Sequence, residues 1–84
     1  MIWIEIEFDL IEPHRRQLDT FLEWSNLWLC QIVYINTKVS TVSFKMRWKK
    51  FKSIWGYNPK TGPINVPDGM EWVNKIYVRK VYGD

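Results

Sequence analysis

Cysteine and histidine are nearly missing from this chain: one of each, Cys30 and His14, in 84 residues. A lone cysteine excludes an intrachain disulfide. The pair cannot assemble a nitrogen- and sulfur-ligated zinc site, and no acidic residues stand at the usual ligand spacing beside them. No stretch reaches the ~20 apolar residues of a membrane span. The start alternates, Ile2-Trp3-Ile4-Glu5-Ile6-Glu7, and lacks the basic opening and continuous apolar run of a signal peptide. The expected location is cytoplasmic, of a cell or of an infected host. Glycine is scarce: Gly56, Gly62, Gly69 and Gly83 form no phosphate-cradling pattern. No acidic residue occurs between Glu23 and Asp68. Internal repeats and low-complexity segments are absent.

What the chain has is apolar and aromatic mass. It is 46% hydrophobic and 17% aromatic, with six tryptophans. This length makes one domain, residues 1–84, around one core. A domain so small buries roughly 60–65% of the surface its unfolded chain exposes. Without disulfide or metal staples, dense packing has to supply the stability.

Ile2, Ile4, Ile6, Phe8 and Leu10 alternate with Trp3, Glu5, Glu7 and Asp9, which predicts a half-buried strand over residues 2–10. Glu12-Pro13 suits a helix start. Leu18, Phe21 and Leu22 form the apolar stripe of a helix of about three turns, which Ser25-Asn26 stops. Residues 27–35, Leu-Trp-Leu-Cys-Gln-Ile-Val-Tyr-Ile, are largely apolar on both alternating faces and predict a central strand covered on both sides, or a strand with an aromatic outer face. The stretch could extend the helix by length, but its β-branched and aromatic residues favour strand. Asn36-Thr37-Lys38 makes a short hairpin connection. Val42, Phe44, Met46 and Trp48 alternate with Thr41, Ser43, Lys45, Arg47 and Lys49, giving a strand to about Lys49. A rival period runs through Phe44, Trp48, Phe51 and Trp55, a helical stripe that Gly56 could close. Residues 56–70 read as a long irregular loop. Residues 71–82 alternate again as a final strand, placed at an edge by its lysines. The expected fold is α+β: a four-stranded, mostly antiparallel sheet with one short helix on one face, in the order β-α-β-β-loop-β.

The net charge of +3 is unevenly spread. Acids dominate residues 1–35 and bases dominate 36–84. The densest basic and aromatic run is Lys45-Met46-Arg47-Trp48-Lys49-Lys50-Phe51-Lys52-Ser53-Ile54-Trp55-Gly56-Tyr57. Cations that neutralise phosphates, interleaved with rings that stack on bases, suit single-stranded nucleic acid. If this run is a strand, Phe44, Met46 and Trp48 face the core, leaving Trp55 and Tyr57 as stacking platforms. A structural reading competes. With the first and third strands adjacent, Glu5, Glu7 and Asp9 would oppose Lys45, Arg47 and Lys49 as a neutral cross-strand ladder. The same three carboxylates could bind a divalent metal, yet their spacing carries little specificity. His14 reads as a solvated residue at a helix start, and Cys30 as a buried, inert thiol.

These residues assign no catalytic group, metal ligand or cofactor. The expectation is a non-enzymatic binding protein, an adaptor or inhibitor acting by protein–protein contact. Tryptophan and tyrosine are enriched at binding hot spots, with Trp3, Trp28, Trp55 and Tyr57 as candidate anchors. Small size and missing motifs resemble phage or mobile-element accessory proteins. The candidate partner-binding residues are Lys45, Arg47, Lys49, Lys50, Lys52, Trp55, Tyr57 and Lys60. The alternatives are single-stranded nucleic-acid binding through residues 45–57 and a self-assembling subunit paired through the C-terminal edge strand. No membrane partner is expected.

Overall fold

The computed structural model describes residues 3–11, 14–56 and 60–83. Ile2, the Glu12-Pro13 helix start, Tyr57 and the side chains of His14 and Arg15 lie outside the described residues. Among those described, the chain forms β1 (Trp3–Leu10), α1 (His14–Leu27), β2 (Gln31–Asn36), β3 (Thr41–Arg47), α2 (Trp48–Trp55), β4 (Gly62–Ile64) and β5 (Val73–Tyr82). The α+β class is as expected, with five strands and two helices in place of four and one.

The sheet is antiparallel throughout, in the order β2-β3-β1-β5-β4. Without the short β4 this is the β-α-β-β-α-β plan of the split βαβ arrangement. β1 is central because one of its faces is wholly apolar. Ile4, Ile6 and Phe8 are fully buried and Leu10 nearly so. They share one cluster with Val42, Phe44 and Met46 of β3, Val73, Ile76 and Val78 of β5, Phe21 of α1 and Phe51 of α2. Both helices thus cover the same, inner face. Phe8 is the hub of the ring packing, 4.8 Å from Phe44, 5.3 Å from Trp24 and 6.1 Å from Phe21 between centroids. Tilted and edge-to-face pairs of this kind add to their area burial.

The strand expected to reach Lys49 ends at Arg47, and a helix begins at Trp48. Phe44 to Trp48 satisfies both periods, and tertiary packing chooses. Trp48, Phe51 and Trp55 stack in series, at 5.8 and 4.7 Å, along one side of α2. Gly56 closes the helix in the left-handed region at φ 73°, its N–H donating to the Lys52 carbonyl at 2.8 Å. Residues 56–70 are not wholly irregular, since Gly62–Ile64 pairs with Ile76–Val78. Trp55 fixes this segment by donating its indole N–H to the Asn65 carbonyl at 3.0 Å.

Two strand placements are corrected. β5 is not an edge: it pairs with β1 along its length and with β4 across Ile76–Val78. β2 is not central: it is an outer strand, and every residue in it is exposed. Its apolarity on both faces, read as cover on both sides, belongs to an outer strand whose residues all stay exposed. The segment also starts later than expected, because α1 continues to Leu27.

Candidate functional site

The sheet face away from the helices carries the charged residues. Antiparallel pairing places Glu5 beside Lys45, but Glu7 beside Ser43, Asp9 beside Thr41 and Trp3 beside Arg47. Of the expected ladder against Lys45, Arg47 and Lys49, only Glu5 and Lys45 therefore stand opposite each other. The two charge rows run in opposite senses, and Lys49 belongs to α2. The other cations come from β5, where Lys80 and Lys75 stand in register with Glu5 and Asp9.

Each carboxylate has a partner. Glu5 Oε1 accepts from the Tyr82 hydroxyl at 2.9 Å. Glu7 accepts from Arg79 through Nη2 at 2.8 Å and Nε at 3.3 Å, and from the Tyr34 hydroxyl at 3.3 Å. Asp9 Oδ1 accepts from Thr41 Oγ1 at 3.2 Å. The rings are engaged as well. Arg47 lies 5.2 Å from the Trp3 centroid and Arg79 4.5 Å from that of Tyr77. Lys45 and Lys80 approach the Tyr82 ring at 4.7 and 4.8 Å. These are cation–π distances. A groove of about 410 Å³ beside β4 is lined by Glu7, Asp9, Tyr77 and Arg79 among others.

The basic run is divided by the sheet. Lys45 and Arg47 sit on the outer face of β3, whereas Lys49, Lys50 and Lys52 ride on α2, which covers the inner face. Lys49, Lys52 and Lys60 are exposed, Lys50 is half-buried, and Trp55 is stacked on Phe51. The seven candidate partner-binding residues among the described residues do not converge on one face; Tyr57 lies outside them. Among the candidate anchors, Trp28 packs against the core cluster and Trp3 lies under Arg47. Cys30 is a free thiol packed against the same cluster. Burial pushes its pKa up to about 12, so the thiolate needed for nucleophilic attack is scarce near neutral pH.

The surface that sequence reasoning missed is the open edge of β2. Ile32, Val33, Tyr34 and Ile35 stay 38–48% exposed, and Leu27, Leu29 and Val39 around them 75%, 71% and 63%. An edge strand offers a row of N–H and C=O groups to a further strand, and natural proteins blunt such edges with charges or proline. β2 contains neither. Its one irregularity is an extra residue, Val33, between the pairs Ile32–Phe44 and Tyr34–Ser43.

Leu29 stands out beside this edge. α1 ends with Cys30 N–H donating to the Ser25 carbonyl at 2.8 Å and Leu29 N–H to Asn26 at 3.2 Å. This is the helix-stop pattern whose left-handed position favours glycine. Leucine holds it at φ 55°, a conformation costing roughly 1–2 kcal/mol for a residue with a Cβ. The backbone is strained, and the side chain it presents is left in water.

No family model matches the chain, and no curated protein or solved structure matches it.

Proposed function

We propose that this chain is a non-enzymatic binding protein that acts by protein–protein contact, adding a strand to the open edge of β2. The observation that carries the reading is the uncharged stretch Ile32-Val33-Tyr34-Ile35, exposed on an outer strand. Strand addition takes its affinity from main-chain hydrogen bonds and its specificity from the side chains alongside. Exposed apolar residues gathered in one patch mark an interaction surface. A non-enzymatic role is supported by the engagement of Glu5, Glu7 and Asp9 in structural bonds and by the raised pKa of Cys30. Among the described residues no helix is long and apolar enough to cross a membrane, and a cytoplasmic setting belongs to the same proposal. The test is a photo-crosslinking residue placed at Val33, and separately at exposed Asp68, in the cell that makes the protein. The reading expects discrete protein adducts from position 33 and none from 68. No adduct at 33 contradicts it.

A second reading, single-stranded nucleic acid, is supported by the outer face, where Trp3, Tyr77 and Tyr82 lie beside Arg47, Arg79, Lys45 and Lys80. Against it stands the row Glu5, Glu7 and Asp9 through the middle of that face, which repels phosphates. Binding of an oligonucleotide at low salt that weakens steeply as salt rises, and is abolished by Arg47→Ala with Lys80→Ala, is the result that would favour it.

A further inference from the structure

We infer that the occupant of the β2 edge is a second copy of this chain, paired antiparallel about a two-fold axis between Val33 and Tyr34. The inference rests on the contact reading above and adds the identity of the partner.

The extra residue in β2 carries the argument. Gln31, Tyr34 and Asn36 pair with Lys45, Ser43 and Thr41 on the outer face, while Ile32 and Ile35 pair with Phe44 and Val42 on the inner face. Read from either end, the strand therefore begins outer, then inner. In a two-fold pair, Gln31 meets Asn36 of the second copy on the outer face. Ile32 meets Ile35 of the second copy on the inner face. A strictly alternating strand would set inner residues against outer ones in the same register, because directly opposed residues share a face. The irregularity that would blunt this edge against a generic strand makes it complementary to itself, as a two-fold interface must be.

Charge and apolar surface agree with that register. β2 has no charged residue, so no like charges meet across the axis. The nearest cations, Lys38 of each copy, fall at opposite ends of the pair. The antiparallel sense lays the end of β2 that Leu29 precedes beside the end of the second copy's β2 that Lys38 and Val39 follow. The most exposed apolar residues flanking the strand are thereby brought together. Leu29, held in a conformation that disfavours it, gains the cover that the single chain does not give.

The test is sedimentation of the purified chain from low micromolar to several hundred micromolar, beside Val33→Lys and Leu29→Gly. The wild type is expected to rise from 10.2 kDa toward twice that mass. Amides 31–36 should gain protection from hydrogen exchange as the dimer forms. Each substitution should raise the dimer dissociation constant by about tenfold or more. Leu29→Gly should do so while raising the melting temperature of the single chain, which separates loss of contact from loss of fold. A wild type that stays at 10.2 kDa throughout, or a dimer indifferent to both substitutions, overturns the inference. A chain that remains single yet crosslinks to another protein through position 33 removes the second copy and leaves the contact reading standing. A single chain with no such crosslink removes both.

Discussion

Arg79 grips Glu7 with Nη2 on Oε2 at 2.8 Å and Nε on Oε1 at 3.3 Å, from a position with no opposite residue in β1. Glu5 pairs with Lys80 and Ile6 with Val78, so Arg79 is the extra residue of a bulge. Bulges re-aim side chains, and this one brings a guanidinium to a carboxylate one residue out of step. Arg79 is about half exposed, so the pair is discounted for solvent screening. Arg79→Ala should cost only about 0.5 kcal/mol, shrinking further in high salt. Urea unfolding of Arg79→Ala, Glu7→Gln and the double variant measures the coupling. A coupling of zero at low salt would contradict the geometry.

Tyr82 should show its contact at high pH. Donation of its hydroxyl to Glu5, with some burial and the nearby carboxylate charge, raises its pKa above the ordinary 10.0. A phenol whose pKa rises on folding keeps its proton longer in the folded state. The stability it contributes is intact below pH 10.0 and is lost as pH climbs through the raised value. Absorbance near the phenolate band should therefore show a late-titrating signal that shrinks in Tyr82→Phe, leaving Tyr34, whose pKa is raised by burial and by Glu7, and that moves partly earlier in Glu5→Gln.

Cys30 should resist thiol reagents in the folded chain. With its pKa pushed up to about 12 by burial, almost no thiolate is present at pH 8, and labelling should wait for unfolding. The expected outcome is slow labelling in buffer and fast labelling in denaturing urea. Fast native labelling would contradict the packing of Cys30 against the core.

Ser40 holds a left-handed φ of 56°, and its buried hydroxyl has no hydrogen-bond partner among the described residues. Its carbonyl accepts from Leu10 N–H at 2.8 Å, which ties the β2–β3 turn to the end of β1. Ser40→Gly keeps that backbone bond and removes both penalties. A gain of about 1 kcal/mol is expected, read as a melting temperature roughly 4–8 °C higher.

Much of the inner face was legible in the residues. Ile4, Ile6, Phe8 and Leu10 alternate so cleanly that only a half-buried strand fits, and Val42, Phe44 and Met46 follow the same rule. The break at Trp48 was not legible, because Phe44 and Trp48 belong equally to a strand period and to a helical stripe. What decides is the stacking of Trp48, Phe51 and Trp55 over the core, a long-range effect. The place of Arg79 opposite Glu7 depends on a bulge that leaves no mark in the residue order. Of the candidate site, Lys45 and Arg47 were placed on the outer sheet face, but their union with Lys49, Lys50 and Lys52 assumed a continuous strand. β2 was misplaced for a more general reason. Apolar residues on both faces do not record whether the strand lies inside the sheet or along its outer edge.

The most direct measurement of the account is the paired stability and association of Leu29→Gly. Glycine suits the left-handed stop of α1, and the leucine it replaces is 71% exposed in the single chain, so the variant should melt higher than the wild type. If β2 and its flanks are the contact surface, the same variant should associate more weakly. A variant that is more stable and associates as well as the wild type would contradict the proposal that a second copy occupies this edge.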